Sequence, residues 1–225
     1  MKGGTGGGIG GGIGGEIGGG GGEIELTLEQ EAALRAELTA TIGTLQCDAL
    51  VAFLTQFARI VRELNPRYLA VAFDAGRATA RQEVYPAYKA NRGPAPALLQ
   101  PMFPLAVRVL AAVGAKCLVL PGHEADDLMA SVGRWARERG LGVVHFSPDK
   151  DMLQLIDSGG GVHVMLPSTF EIVGPENVRK KFFIGPEAMT DLQALMGDTS
   201  DNVPGVRGVG QALAVALMLH FDGVD

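Results

Sequence analysis

The feature that most constrains the fold of this chain is a series of short apolar runs that each end in a glycine, a proline or an acid. Three of these runs are "YLAVAFDAG", "AKCLVLPGHE" and "LGVVHFSPDKD", and "GGVHVMLP" near Val162 is a fourth. Runs of this length indicate buried strands, and the segments between them are long enough for helices. Strands that alternate with helices form parallel sheets with helices on both faces. The sequence therefore predicts an α/β fold.

The region before these strands has a different composition. Residues 1–22 are almost all glycine, and we expect a disordered tail because glycine loses much backbone entropy on folding and buries no side chain. Thr27 and Gln30 stand at capping-box spacing, which predicts a helix start. Apolar residues at helical spacing from Leu50 to Leu64 predict an amphipathic helix.

Charge and hydropathy exclude two broad classes of protein. The formal net charge of -6 argues against a protein that coats nucleic acid through bulk positive charge. No apolar run approaches the roughly 18 residues that a membrane helix requires, so no membrane association is expected. Any polyanionic partner must therefore be met locally, by a basic patch or by bound cations.

Acids follow three of the predicted strands and recur in the later stretch "GDTSDN". They are Asp74, Glu124, Asp126, Asp127, Asp149, Asp151, Asp198 and Asp201. Because the carboxyl ends of parallel strands share one edge of a sheet, we expect these acids to converge there. Clustered carboxylates repel one another unless cations neutralise them, and ligation by oxygen alone favours Mg²⁺ or Mn²⁺ over zinc. The pattern predicts a divalent-metal site.

Each acidic stretch also has a simpler interpretation when taken alone. The acids of "GHEADD" suit the first turn of a helix, where they complement the helix dipole. "SPDKD" suits a helix cap, and "GDTSDN" suits a pair of Asx turns. Their common position at strand ends is what favours the metal site.

Five stretches, in order and at matching spacing, resemble a known family. They are "LAVAFDA", "ARQEVYPAYKANRGPAP", "GHEADDL", "SPDKDMLQLI" and "LMGDTSDNVPGVRGVG". From about Gly43 to the C-terminus, the chain resembles the 5'-3' exonuclease domain of bacterial DNA polymerase I and its flap endonuclease relatives. The resemblance implies a PIN-like α/β catalytic domain over residues 23–196. It also implies a truncated helix-three-turn-helix, a form of helix-hairpin-helix, over residues 197–225.

The resemblance further implies a structure-specific 5' nuclease that holds two Mg²⁺ or Mn²⁺ ions. Ligands of the first metal region would be Asp74, Glu124, Asp126 and Asp127. Those nearer the second would be Asp149, Asp151, Asp198 and Asp201. Lys89 and Arg92 would steady the scissile phosphate as catalytic residues. A potassium ion at the helix-hairpin-helix is a further candidate.

Two segments are predicted to contact DNA. The first combines cations with aromatic rings, which suits phosphate contact and base stacking, and it contains Arg81, Tyr85, Tyr88, Lys89 and Arg92. The second is a glycine hairpin that brings backbone N–H groups near a duplex phosphate, and it contains Gly205, Arg207, Gly208 and Gly210. A solvated charged face and a glycine turn between packed helices are the simpler interpretations.

The family resemblance also implies partners and a location. The expected substrates are DNA with a 5' flap, a branch or a junction between single and double strands. A DNA polymerase and other replication or repair proteins are candidate partners. The expected location is the cytoplasm and nucleoid, or an organelle in a eukaryote.

The chain departs from the family pattern at both ends. The family opens with an apolar strand that ends in aspartate, whereas "EIELTL" contains no aspartate and Asp48 falls in a helical stretch. We therefore expect one metal ligand and the central strand to be missing. Gln211 stands where the family usually has a basic residue, which predicts a weaker grip on duplex DNA. A fragment or an erroneous start stays open.

Two other functions remain as alternatives. A degenerate family member would bind branched DNA without cutting it. A haloacid-dehalogenase-like phosphatase would use Asp149 of "DKD" as its nucleophile, although Asp149 lies late in the chain and behind Ser147 and Pro148.

Overall fold

A computed structural model of the chain describes residues 48–76 and 80–221, together with Ala32 and Ala36, which are helical. The glycine-rich tail and the stretch "EIELTL" lie outside the described residues, as does the helix predicted after Thr27, apart from those two alanines.

The first described element is helix α1, Asp48–Leu64, which agrees with the amphipathic helix predicted from the sequence. Its Phe53 ring lies 6.3 Å, centroid to centroid, from the ring of Phe73. One turn and a half later, the Arg59 guanidinium stacks over the Phe170 ring at 3.5 Å. Helix α1 therefore contacts both the first strand and the loop that contains Phe170.

Strand β1, Ala70–Phe73, pairs in parallel with strand β2, Lys116–Val119. Ala70 lies opposite Lys116, and the register continues to the other end of both strands. The crossover between them contains helix α2, Ala80–Val84, and helix α3, Met102–Ala112. This pair confirms two of the predicted parallel strands.

Helix α4, Ala125–Arg137, follows β2 and packs against β1, β2 and strand β3, Val143–Phe146. Its close approach to β3 depends on Gly133, where a Cβ would lie only 2.7 Å from Nε2 of the buried His145. Strand β4, Val162–Met165, pairs in parallel with β3, and strand β5, Ile172–Val173, pairs antiparallel with β4. A 3₁₀ helix, Lys150–Leu155, lies between β3 and β4.

The strands form two parallel pairs. Within residues 48–76 and 80–221, no backbone pairing joins β1 to β3, although α4 packs against both. The predicted α/β fold with parallel strands is confirmed. The expected absence of a central strand stays a prediction, because "EIELTL" lies outside the described residues.

The C-terminal part is mostly helical. Helix α5, Pro175–Phe182, and a 3₁₀ turn, Pro186–Ala188, lead into helix α6, Met189–Met196. A short antiparallel pair, β6 Gly197–Asp198 and β7 Val203–Pro204, then precedes helix α7, Gln211–Phe221.

The main apolar core runs across the predicted domain boundary between residues 196 and 197. Its buried members are Met152, Leu153, Ile156, Val164, Val173, Val178, Ile184, Met189, Leu192, Ala214, Val215 and Met218. Helices α6 and α7 therefore share one core with β4. The boundary itself stays a prediction.

The turn between α6 and β7 depends on two glycines. Gly197 has a φ of 73°, and a Cβ there would lie 2.3 Å from the backbone nitrogen of Gly205. A Cβ on Gly205 would lie 2.2 Å from the carbonyl carbon of Met196. Side chains at either position would push the two backbone segments apart.

Among the helices that the structure describes, none combines the length and apolar character needed to cross a bilayer.

Candidate functional site

An acidic cleft of about 400 Å³ lies beside the start of α4 and the 3₁₀ helix. Six of the eight acids singled out from the sequence line it: Glu124, Asp126, Asp127, Asp151, Asp198 and Asp201. Asp74 and Asp149 do not line the cleft, but both lie near enough to Asp126 to raise its pKa. The structure thus brings together acids from four separate parts of the chain.

Helix capping accounts for some of these acids. Asp74 accepts a hydrogen bond from the backbone N–H of Ala125 at 2.7 Å, at the start of α4. Asp127 accepts one from the backbone N–H of Glu124 at 3.0 Å. Both contacts are those expected of acids at a helix N-terminus. The simpler interpretation of "GHEADD" is therefore realised for these two residues.

Capping does not account for Asp126. This half-buried carboxylate has no hydrogen bond or ion pair with any residue in the described part of the chain. Burial raises the pKa of Asp126 to about 6, and the negative charges of Asp149 and Asp74 add to the shift. The Lys89 charge opposes the shift without cancelling it. A half-buried carboxylate that has no paired cation in a cleft is typical of a cation site.

Asp198 in the "GDTSDN" loop is also incompletely satisfied. Its Oδ1 accepts hydrogen bonds from the N–H of Ser200 at 2.7 Å and from its hydroxyl at 2.6 Å, as in an Asx turn. Its buried Oδ2 accepts none, and Lys150 Nζ is 3.5 Å away. Burial works to raise the pKa of Asp198, but the Ser200 hydrogen bonds outweigh it and hold the pKa below its ordinary value.

The 3₁₀ helix and its cap supply two further acids. Asp149 caps it by accepting a hydrogen bond from the N–H of Asp151 at 2.9 Å. Asp151 accepts a hydrogen bond from the side-chain amide of Gln193 on α6. Burial, and then the charge of Asp149, raises the pKa of Asp151, while the Gln193 hydrogen bond opposes the shift. Gln193 was not predicted as a site residue.

The basic segment predicted around α2 borders this cleft. Arg81 makes a bidentate pair with Asp127 at 2.9 and 2.7 Å and lowers the pKa of that carboxyl to about 2. Lys89 Nζ lies 2.7 Å from Glu124 Oε2, although Glu124 itself is only 6% exposed. Each of these cations also lies near a second acid of the cleft: Arg81 is 3.9 Å from Glu124, and Lys89 is 3.6 Å from Asp201.

Arg92 compensates the charge of Asp201 in the same way. Its guanidinium pairs with Asp201 Oδ1, and its Nε donates to the carbonyl of Ser200 at 3.1 Å. The basic segment therefore reaches the "GDTSDN" loop as well as α4.

Tyr88 differs from the prediction that it stacks on a base. It is 7% exposed, and its hydroxyl lies 3.0 Å from Glu124 Oε2 and 2.8 Å from Asp201 Oδ2. Burial, and then the hydrogen bond to Asp201, raises the pKa of Tyr88 well above its ordinary value. In this structure the ring has no free face for a base. Tyr85 is half-buried, and its stacking stays a prediction.

The glycine hairpin is open to solvent over most of its length. A Cβ on Gly208 or Gly210 would meet no atom within 4 Å, and Arg207 is exposed. Gly205 instead allows the close backbone contact with Met196 in the turn between α6 and β7. Contact of this hairpin with DNA stays a prediction.

Two asparagines near the cleft were not singled out from the sequence. Asn91 Nδ2 donates to the carbonyl of Thr199 at 2.8 Å, and Asn202 Nδ2 donates to the carbonyl of Ala87 at 2.7 Å. Both lie inside the quoted stretches "AYKANRG" and "GDTSDN". The sequence offers one indication of their importance, because Asn91 is adjacent to Arg92 and Asn202 is adjacent to Asp201.

The chemistry of the cleft fits a divalent cation. It offers oxygen donors, which include a buried Oδ2 of Asp198 that accepts no hydrogen bond and an Asp126 carboxylate whose pKa is raised by burial. However, no group of three or more His, Cys, Asp or Glu residues within the described ranges is close enough together to hold an ion. The carboxylates are gathered in one cleft, and side-chain movement would be needed to bring them to ligand distance.

Comparison with protein families supports one relationship along most of the chain. The family model described as the 5'-3' exonuclease N-terminal resolvase-like domain matches residues 31–183. The model described as the 5'-3' exonuclease C-terminal SAM fold matches residues 184–225.

Curated relatives agree with this result. A 5'-3' exonuclease of Aquifex aeolicus is 37% identical over 178 residues, which cover 79% of this chain and 61% of that protein. A DNA polymerase I of Bacillus caldotenax is 36% identical over 180 residues, which cover 79% of this chain and 20% of the polymerase. The chain therefore spans less than two thirds of the first of these relatives and about a fifth of the second.

Solved structures show the same fold. A T5 5'-exonuclease structure with zinc bound has a TM-score of 0.68 at 20% identity and covers 85% of this chain and 73% of its own. A T5 flap endonuclease complex with DNA and metal ions has a TM-score of 0.65 at 20% identity and covers 77% and 67%. The fold is thus the PIN-like, resolvase-type arrangement with a C-terminal SAM-like helical part. Taken with the matching family models, these observations show that the chain belongs to the 5'-3' exonuclease family.

Proposed function

We propose that this chain is a divalent-metal-dependent, structure-specific 5' nuclease that cleaves DNA phosphodiesters. The observation that carries the proposal is the acidic cleft itself, in which Asp126 has no paired cation and the Oδ2 of Asp198 accepts no hydrogen bond. Lys89 and Arg92 pair with two of the acids that line this cleft. Membership of the 5'-3' exonuclease family supports the reaction class.

The acids would hold two Mg²⁺ or Mn²⁺ ions in two regions. The first region would use Asp74, Glu124, Asp126 and Asp127. The second would use Asp149, Asp151, Asp198 and Asp201. When bound, such ions lower the pKa of a coordinated water and offset the charge of the scissile phosphate. The carboxylates hold metal in this account and transfer no proton themselves.

Lys89 and Arg92 would contact the phosphate that is cut. Both already lie at the cleft, where their partners are Glu124 and Asp201. A phosphate that enters the cleft would share these cations with the carboxylates, because charge-assisted hydrogen bonds to phosphate are among the strongest available to either side chain. Arg81 lies at the same rim and would extend the contact along the DNA backbone.

The expected substrate is DNA with a 5' flap, a branch or a strand junction. The exposed hairpin at Arg207, Gly208 and Gly210 would approach a duplex phosphate through its backbone N–H groups. A potassium ion at this hairpin remains part of the proposal. Gln211 begins α7 without a positive charge, so we expect a weak grip on the duplex.

Partners and location follow from the same reasoning. DNA polymerase I relatives carry the matching region within a longer chain, so a DNA polymerase is the first partner to test. We propose that the protein acts where DNA is replicated and repaired, in the cytoplasm and nucleoid or in an organelle.

The alternative function is DNA binding without cleavage. The observation in its favour is that the described carboxylates do not approach one another closely enough to form a preformed ion site. The phosphatase alternative has no such support, because Asp149 caps the 3₁₀ helix and does not line the cleft.

A flap-cleavage assay tests the proposal. The protein is incubated with a labelled 5'-flap duplex in Mg²⁺, beside an Asp126→Asn variant and a chelator control. We expect the chelator to stop cleavage and the variant to lose at least about 100-fold in rate, because its side chain no longer binds the ion as a charged ligand. Asp48→Asn, in the first turn of α1, is the matched control and should cleave as the wild type does.

Two results would separate the alternatives. Equal, chelator-resistant cleavage by the wild type and Asp126→Asn would overturn the nuclease proposal. Tight binding of the flap duplex without cleavage in either Mg²⁺ or Mn²⁺ would favour the binding-only function.

A further inference from the structure

Two segments more than a hundred positions apart in the chain are joined beside the cleft by neutral hydrogen bonds. The segments are residues 87–92 and residues 199–202, and each donates an asparagine amide to a carbonyl of the other. Asn91 donates to Thr199, and Asn202 donates to Ala87. We call this reciprocal pair of contacts the asparagine clasp.

The clasp surrounds the cations that the proposed reaction needs. Lys89 and Arg92 lie in the first segment, and Asp201 lies in the second. The backbone N–H of Lys89 donates to the carbonyl of Asp201 at 2.8 Å, inside the clasp. The backbone of Lys89 is therefore fixed by the second segment as well as by its own.

Backbone conformation gives the clasp a further role. Lys89 has a φ of 54° and Asn202 has a φ of 58°, in the left-handed region that is uncommon for residues other than glycine. Asparagine tolerates this region because its short polar side chain can form local hydrogen bonds, whereas the lysine side chain offers no such compensation. Such a conformation persists only where surrounding contacts hold it, and here the contact is the hydrogen bond to Asp201.

The ion pairs beside the clasp are of a different kind. Lys89 pairs with Glu124, and Arg92 pairs with Asp201. A metal ion or a phosphate in the cleft would compete for the charged groups of both pairs. The asparagine amides carry no charge and bond only to backbone carbonyls, so they would not be drawn into that competition.

We propose that Asn91 and Asn202 are positioning residues, which hold Lys89 and Arg92 at the cleft when their ion pairs are given up to metal and phosphate. This inference rests on the proposed nuclease function. It assigns a role to two residues whose side-chain amides already bond to backbone carbonyls.

Three substitutions test the clasp. Asn202→Asp keeps the shape and the tolerance for left-handed backbone but cannot donate to Ala87. Asn202→Gly keeps the backbone freedom and also lacks the donor. Asn91→Asp removes the other donor, from an exposed position where folding is least at risk.

The matched control is Asn177→Asp. Asn177 accepts a hydrogen bond from the N–H of Gly174 through Oδ1, so the aspartate keeps that contact. It adds the same negative charge at the start of α5, away from the residues that line the cleft.

The readouts are kcat and KM on a 5'-flap duplex, and amide hydrogen exchange within residues 87–92 and 199–202. We expect kcat to fall about 10- to 100-fold in all three variants with KM nearly unchanged, because misplaced groups slow the chemical step more than they weaken binding. Exchange should rise in both segments even when only one carries the substitution. Asn177→Asp should match the wild type in every readout.

Wild-type kcat in both Asn202→Asp and Asn202→Gly would overturn the inference, because Asn202 would then serve only as a left-handed residue. If the wild type cleaves no substrate, the proposed function fails, and the exchange measurement still decides the clasp. Unchanged exchange in the partner segment would show that the two segments are not coupled.

Discussion

Two halves of the described chain bury their strands to different degrees: the first contains the parallel pair β1 and β2, and the second contains β3 to β5 and the C-terminal helices. The main core cluster lies between Met152 and Met218, and within it Val164 and Leu192 are at most 2% exposed. In the first parallel pair no side chain is fully buried, and Val119 at the end of β2 is 50% exposed. Strands of a parallel sheet are normally covered on both faces. Strand β4 is buried as this rule predicts, whereas β1 is not.

This difference has a consequence for the cleft. Its wall from Asp151 to Asp201 stands on or next to the well-packed core, whereas the basic segment belongs to the less buried half. The two halves meet through α4, which packs against strands of both pairs, and through the contacts of Lys89 and Arg92 with Asp201. Stability should therefore depend mainly on the well-packed half, whereas the cleft needs residues from both halves.

The largest expected effect is on catalysis, from the less buried half. Lys89→Ala should lower the single-turnover rate on a 5'-flap duplex by about 100- to 1000-fold, as does the loss of a preorganised charge at a reacting phosphate. Lys116→Ala, at the exposed start of β2, is the control. Equal rates for both variants would remove Lys89 from the site, provided that circular dichroism shows both to be folded.

The next effect is on stability and compares two leucines. Leu192→Ala, in the core, should lower the free energy of unfolding by about 3–5 kcal/mol, because it removes a side chain that is 2% exposed. Leu118→Ala, on the half-buried β2, should lower it by about 1–2 kcal/mol. Urea unfolding followed by circular dichroism measures both. Equal losses would contradict the difference between the halves.

A third prediction concerns the contact between α4 and β3. Gly133→Ala should lower the free energy of unfolding by about 1–3 kcal/mol, since its Cβ would overlap the His145 ring. Gly142→Ala has open space and an ordinary φ, so it should be neutral or slightly stabilising. Thermal unfolding of the two variants checks this pair, and a neutral Gly133→Ala would show that α4 does not lie so close to β3.

The smallest predicted effect is a dependence of the free energy of unfolding on pH in the metal-free protein. The pKa of Asp126 is raised from 3.8 to about 6, so the folded state holds its proton more tightly than the unfolded state. Stability from this group is therefore present below about pH 4 and is lost as the pH rises to about 6. Because the group is only half-buried, we expect a loss of about 1 kcal/mol.

Urea unfolding in a chelator, at several values of pH between 4 and 7, measures this effect as the difference between wild type and Asp126→Asn. The free energy of unfolding of the variant should rise relative to that of the wild type as the pH rises. A constant difference across this range would show that Asp126 is already compensated.

The sequence predicted the features that depend on local pattern. Apolar runs identified β1 to β4, and helical spacing identified α1, because burial imposes those periods on a single segment. The convergence of acids could be predicted as well, since it follows from the direction of parallel strands. The family resemblance, drawn from five motifs, was confirmed by the family models.

Contacts between distant segments were beyond such patterns. Tyr88 appeared as one of several aromatic residues among cations, and only the fold shows that its hydroxyl is buried between Glu124 and Asp201. Likewise, Asn91 and Asn202 have no sequence period that could reveal their partners. Side chains that join two loops are determined by tertiary packing, which no local rule encodes.

The acids of the cleft are proposed to bind divalent cations, and calorimetric titration of metal-free protein with Mn²⁺ measures this binding. We expect two binding events in the wild type and in Asp48→Asn, and loss of at least one event in both Asp126→Asn and Asp198→Asn. No binding heat in the wild type, or the same titration curve for all four proteins, would contradict this proposal.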